Sequence, residues 1–308
     1  MTDQTQSISS VAPAAKARAK APFSLSRLPD AMTGWLLSLP LALVLFFFLV
    51  LPIAMIVVVS FWGATEFSIY PAFQFDNYEF LLTSPVTYQV FFNTVKYALI
   101  TWAITLVIGF TVAYFLAFHV RTLTWQIVLF LLCTIPFWTS NIIRMISWIP
   151  FLGRNGIANS TLISMGVIEP LDWLLFSDFS VILAFVHLYT LFMVVPIFNT
   201  MMRIDRSLIE AAYDNGATGL QTLTNVIIPL TKPGIMIGSI FVVTLVMGDF
   251  ITVRFMSGSQ KANVGRLISN DIALLQYPSA AATAVILLIT VLLVISILLR
   301  FVDIRKEL

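Results

Sequence analysis

Charge is scarce in this chain. Only 10% of its 308 residues are Asp, Glu, Lys or Arg, against roughly a quarter in an ordinary soluble domain, while 59% are hydrophobic and the mean hydropathy is +0.96. That excludes a water-soluble globular protein. With 17 basic against 15 acidic residues, a net charge of +2, there is no field of one sign to attract nucleic acid or an acidic substrate. The single cysteine, Cys133, lies in an apolar run; it excludes an internal disulfide and a cysteine-based metal cluster and reads as a small buried packing residue. Two well-separated histidines exclude an H-E-x-x-H zinc site, and none of the six lysines precedes Ser or Thr, so there is no G-x-x-x-x-G-K-[ST] phosphate loop. No catalytic residue, metal site or cofactor is expected in this chain.

What the sequence has in abundance is long apolar runs. A bilayer core needs roughly 20 apolar residues per helical span, and runs of that kind lie at 35–62, 92–118, 126–148, 179–202, 233–253 and 280–301. The fold class is therefore an all-α polytopic membrane protein of six transmembrane helices. Residues 1–30, rich in Ala, Ser, Pro and Lys, have no apolar periodicity and read as a disordered tail. The first run is too long for a signal-peptide core and is expected to remain as a span. Pro40, Pro52, Pro136 and Pro196 fall within spans and predict kinked helices packed against neighbours that satisfy the freed carbonyls.

Six spans put both termini on one side, and the excess of Lys and Arg marks that side as cytoplasmic. Lys16, Arg18, Lys20 and Arg27 precede the first span; Arg121 follows the second; Arg203, Arg206 and Lys232 follow the fourth; Arg300, Arg305 and Lys306 end the chain. The first connection carries Glu66, Asp76 and Glu79 without a basic residue, and the third carries Arg154 against Glu169, Asp172 and Asp178. Both belong outside. The fifth, with Arg254, Lys261 and Arg266, departs from the rule.

The fourth connection, 203–234, is the most patterned. Ser207 and Glu210 have capping-box spacing, Gly216 suits a left-handed helix end, and Thr218 and Gln221 repeat the capping spacing. Leu220, Leu223 and Ile227 form one apolar face before Pro229 stops the second helix. The expectation is a short helix, a glycine turn and another short helix at the membrane surface, with Ala211 and Ala212 leaving room for a partner.

Glu210, Ala211 and Ala212, then Gly216, then Val226, Ile227, Ile228 and Pro229 resemble the E-A-A-x-x-x-G-x(9)-I-x-L-P loop of permease subunits in bacterial ABC importers. Val226 and Ile228 stand where that pattern has Ile and Leu. The resemblance implies a type I importer permease, with 88–303 as its transmembrane domain, 31–87 as a first helix and external loop, and 304–308 as a cytoplasmic tail. It also implies that Glu210, Ala211, Ala212, Gly216 and Pro229 form the coupling loop that docks on a cytoplasmic ATPase. ATP and Mg would belong to that partner. Two ATPase subunits, a second permease subunit (another chain or a copy of this one) and an external substrate-binding protein are the implied partners in the bacterial inner membrane. The stretch PFWTSNIIRMISWIPFLGRNGIANSTLISMGVI with VVPIFNTMMRIDRSLIEAA is similar to the spermidine/putrescine branch. Permeases for opines and other small nitrogenous solutes share much of it, and an ion-coupled secondary transporter is the alternative of another class.

Ionisable groups inside spans cost about 2.5–3.5 kcal/mol each on insertion scales and face protein or water. Lys96, near the outer end of its span, is expected to snorkel. His187 reads as a hydrogen-bonded interior histidine or a substrate ligand. Taking each span as one straight helix, Arg144 sits roughly 27 Å and Asp249 roughly 24 Å from the cytoplasmic end, which puts them at one depth. They form either a structural ion pair or part of a path for a cationic solute, a path for which Trp138, Arg144, His187 and Asp249 are the candidates.

Overall fold

The computed structural model describes residues 30–65, 68–167, 169 and 174–300. The expected tails, 1–30 apart from Asp30 and 304–308, lie outside the described residues, as do Glu66 and Asp172 of the loop charges. The chain divides into two compact units, Met1–Ile53 and Ala54–Leu308.

The described part of the first unit is helical, and its last helix continues past Ile53 into the second unit. Helix α1 (Asp30–Leu45) passes through a widened π turn (Phe46–Val50) into α2 (Leu51–Val59), giving an apolar run, Leu37–Val59, long enough to cross a membrane. Every residue from 37 to 58 is exposed.

In the second unit, a two-residue ribbon, β1 (Gly63–Ala64) and β2 (Ile69–Tyr70), and α3 (Asp76–Thr83) lead to α4 (Pro85–Tyr114), which ends in a π turn (Phe115–His119). Then come α5 (Leu123–Thr134), a 3-10 turn (Ile135–Trp138), α6 (Asn141–Leu152) and α7 (Ile157–Ser164). The long α8 (Asp178–Met201) precedes the short α9 (Arg206–Asp214) and α10 (Gly219–Thr222); a π turn (Leu223–Ile227) joins α10 to α11 (Ile228–Gly248). Helices α12 (Ile251–Met256), α13 (Val264–Ala273) and α14 (Tyr277–Arg300) complete the described chain. Five helical runs are long and apolar enough to span a membrane, and the bent pair Leu123–Trp138 and Asn141–Ser164 makes a sixth.

That pair corrects the expectation of one continuous span, kinked at Pro136, over 126–148. Its halves meet at 87°, because Pro136 cannot donate to a carbonyl and the chain leaves the helix at Thr139 and Ser140, both extended. The depth of Arg144, counted along one straight helix, is corrected with it. The fifth span also differs. It starts at Gly219 rather than 233, because Pro229 does not stop the helix: the Ile228 N–H reaches back to the Leu223 carbonyl, and the widened turn accommodates the proline's missing donor. It ends at Gly248, which leaves Asp249 extended, just beyond the helix.

Helices α4, α8 and α11 form the core, around Tyr97, Phe185, Met193, Ile197, Val242 and Met247, each no more than 1% exposed. In lipid, apolar side chains gain little by leaving one apolar medium for another, so close backbone approach must supply the attraction. Gly109 and Gly238 provide it: a Cβ at either would lie 2.7 Å from the Met193 side chain. At the end of the core away from the α9–α10 hairpin, Lys96 Nζ pairs with Asp178 Oδ2 at 2.6 Å and the Tyr97 phenol donates to Oδ1 at 2.7 Å. Lys96 is therefore paired across α4 and α8 at this end of the core, with its side chain still partly exposed. Cys133 is half-buried rather than buried.

Candidate functional site

Two places collect the residues singled out from the sequence. The first is the hairpin of α9 and α10. Asp205, in extended backbone, caps α9 by accepting the Ser207 N–H at 3.0 Å, and that bond holds its carboxyl below the usual range. The expected Ser207 and Glu210 box is thereby corrected: the Ser207 amide is already taken, and Glu210 stands exposed with no side-chain hydrogen bond among the described residues. The glycine turn forms as expected. Gly216 adopts φ +81°, its N–H reaches the Tyr213 carbonyl at 2.9 Å, and the Ala217 N–H reaches that of Ala212 at 3.0 Å, the paired bonds of a Schellman end.

Thr218 and Gln221 form the predicted capping box, with the Thr218 N–H on Gln221 Oε1 at 2.8 Å and the Gln221 N–H on Thr218 Oγ1 at 3.4 Å. Of the expected apolar face, Ile227 is buried and Leu223 packs on the core, but Leu220 is 71% exposed. A cleft of about 290 Å³ lies between this hairpin and the end of α4, with Tyr114, His119, Arg206, Glu210 and Tyr213 in its walls. Ala211 is exposed, while Ala212 and Pro229 are half-buried. The hairpin thus holds a rigid backbone while presenting Glu210, Tyr213 and Leu220 outward.

The second place lies among the spans. The Asp249 carboxylate accepts the Tyr189 phenol at 2.7 Å, the Thr252 hydroxyl at 2.6 Å and the Thr252 N–H at 3.0 Å; its backbone carbonyl accepts Asn263 Nδ2 at 2.7 Å. These bonds fix the turn from α11 into α12. Arg144, 8% exposed, donates from Nη2 to the Thr139 carbonyl at 3.2 Å and to Asn141 Oδ1 at 2.6 Å. It makes no ion pair with Asp249, so the structural pair weighed from the sequence is not formed.

His187 Nδ1 accepts the Trp148 indole N–H at 3.0 Å, the interior hydrogen bond expected of it. His187 and Arg144 line one cavity of about 250 Å³, whereas Trp138 is 84% exposed and Asp249 lies outside that cavity. A larger cavity, about 880 Å³, opens at the hairpin end of α8 and α11 between Pro196, Arg203, Leu208, Pro233 and Phe241 and contains none of the four. Sequence reasoning missed Asp205, Tyr189 and Asn263. Asp205 two residues before Ser207 was a legible capping signal, whereas nothing local marks Tyr189 or Asn263 as partners of Asp249.

Residues 125–307 match the family described as binding-protein-dependent transport system inner membrane component. The spermidine/putrescine transport system permease protein PotB of Escherichia coli is 35% identical over 263 residues, covering 84% of this chain and 90% of that protein. Its counterpart in Haemophilus influenzae is 31% identical over 83% of this chain and 89% of its own length. A solved bacterial alginate ABC transporter, crystallised in complex with an alginate pentasaccharide-bound periplasmic protein, contains a chain that superposes with a TM-score of 0.67 over 90% of this one and 97% of its own, at 16% identity. That likeness shows the type I permease-like fold. This chain is a multi-pass transport subunit, not an enzyme, and its working partners are an ATPase and a substrate-binding protein. With the bent pair counted among its six spans and the α9–α10 hairpin joining the fourth to the fifth, the chain belongs to the inner-membrane permease components of binding-protein-dependent ABC importers.

Proposed function

We propose that this permease carries a polyamine, spermidine or putrescine, inward across the membrane. Relatives named for spermidine/putrescine transport, matched over more than four-fifths of the chain, support that substrate class. In this reading both termini and the α9–α10 hairpin are cytoplasmic, two ATPase subunits bind ATP and Mg, and a second permease subunit completes the pore.

The observation that carries the reading is the hairpin: exposed Glu210, whose side chain makes no hydrogen bond among the described residues, on a helix whose end is fixed by Gly216. Glu210, Ala211 and Ala212 seat in the ATPase, Gly216 sets the angle between the two short helices, and Pro229 stands where the hairpin passes into α11. Because α10 runs without a stop into α11, a push on the hairpin reaches the core helices directly. Among the path candidates, Asp249 has the charge suited to a passing ammonium group, and Arg144 has the opposite one. His187, bonded to Trp148, and exposed Trp138 are secondary candidates.

The test is ATP hydrolysis by the purified importer, with its binding protein supplied empty or loaded. Spermidine- or putrescine-loaded protein should stimulate hydrolysis, and an opine-loaded one should not. Stimulation by the opine alone would overturn the substrate assignment.

A further inference from the structure

The guanidinium of Arg144 is only partly used. It is more than nine-tenths buried, and only Nη2 is bonded; Nε is buried without a partner, and Nη1 donates to no acceptor among the described residues. Both of its acceptors are neutral, so they leave its charge uncompensated. Of the carboxylates at the span ends, Asp178 is paired with Lys96, and Asp249, bonded to Tyr189 and Thr252, makes no ion pair with Arg144. A cation held in a span without a counter-charge is costly, and the usual remedy is an anion or water.

The surroundings favour an anion. The 250 Å³ cavity against Arg144 is walled by Cys133, Phe137, His187, Thr190 and Leu191. At about 30 Å³ per water, it has room for a halide with some hydration or for a short carboxylate. Its mainly apolar walls weaken dielectric screening and so strengthen attraction to the guanidinium. Because His187 Nδ1 accepts from Trp148, the neutral ring carries its proton on Nε2 as a further donor.

We propose that this cavity is a site for one monovalent anion, a chloride ion or a small carboxylate, held by Arg144 at the break of the bent span. Anion occupancy follows from Arg144 and its cavity alone, whereas the role given to it rests on the cationic solute proposed above. The anion neutralises Arg144 and so keeps a cationic solute from meeting a bare positive charge.

Cys133, in the wall of the cavity and the only cysteine of this chain, supplies the probe. The intact importer is treated with N-ethylmaleimide in chloride, acetate or gluconate at matched ionic strength, and modification of the Cys133 peptide is followed by mass spectrometry. Chloride or acetate should slow modification saturably, at least several-fold relative to gluconate, which is bulkier and more heavily hydrated than either; whichever of the two protects identifies the anion. Arg144→Gln should make the rates equal in all three salts. If that variant does not assemble, Arg144→Lys replaces it and should move the half-protecting concentration several-fold. Equal rates in the wild type, unchanged protection in Arg144→Gln, or an unchanged half-protecting concentration in Arg144→Lys would overturn the proposal.

Discussion

The Tyr189 phenol donates to the Asp249 carboxylate at 2.7 Å, tying the middle of α8 to the point where α11 stops. Asp249 is held by hydroxyl and amide donors and not by a countercharge. Asp249→Asn places an amide NH₂ where donors converge, and the loss should be about 1–3 kcal/mol of stability. Since Arg144 makes no ion pair with Asp249, Arg144→Gln should not rescue it: the double variant should be no more stable than Asp249→Asn alone in a double-mutant cycle. If Asp249 also guides a cation, uptake per assembled complex should fall as well. Rescue of stability in the double variant would restore the ion-pair reading.

Gly216 stands at φ +81° with nothing within 4 Å of where a Cβ would be, so a substitution there is opposed by backbone conformation and not by crowding. Gly216→Val should cost about 1–3 kcal/mol locally and misplace α10 relative to α9, reducing ATPase capture and coupled uptake while leaving the binding protein's solute affinity unchanged. Gly216→Asn, which tolerates the left-handed region better, should be milder. Full uptake and normal ATPase pull-down in Gly216→Val would remove the hairpin from the coupling account.

Orientation has its own test. A reporter active only outside the cytoplasm should work when fused after Phe75 and fail when fused after Ala217, because the basic residues Arg203, Arg206 and Lys232 flank the second position. The opposite pattern would reverse the assigned sides.

Asp271, on α13 outside the spans, accepts the Ser279 hydroxyl at 3.0 Å, yet burial pushes its carboxyl up from the usual range. A folded state that holds its proton more tightly than the unfolded chain loses stability as pH rises through the folded pKa. Asp271→Asn keeps an acceptor for Ser279 and removes the charge, so it should be at least as stable as wild type at pH 7. The difference should vanish below about pH 4, where the unfolded carboxyl is protonated too. A variant less stable than wild type at pH 7 would contradict this.

Hydropathy made the spans legible because a membrane helix must satisfy its own backbone and faces apolar surroundings for most of its length. The hairpin was legible for a different reason: the Thr218 and Gln221 box and the Gly216 turn are local motifs that need no tertiary partner. The misread features depend on bonds that local spacing does not specify. Asp205 captured the amide that Ser207 and Glu210 were expected to share; a π turn carried the helix through Pro229; the chain broke at Thr139 rather than merely kinking at Pro136. Arg144 and Asp249 share a depth only when both are counted along straight helices. Once the span bends by 87°, the common depth no longer follows.

The most direct test of the central claim is uptake of labelled spermidine and putrescine into proteoliposomes that contain the complete importer, with loaded binding protein outside and ATP inside. The account predicts accumulation that requires ATP, the binding protein and an intact Gly216 turn, and that persists when ion gradients are collapsed. Accumulation that survives removal of the ATPase and disappears with the ion gradient would contradict it.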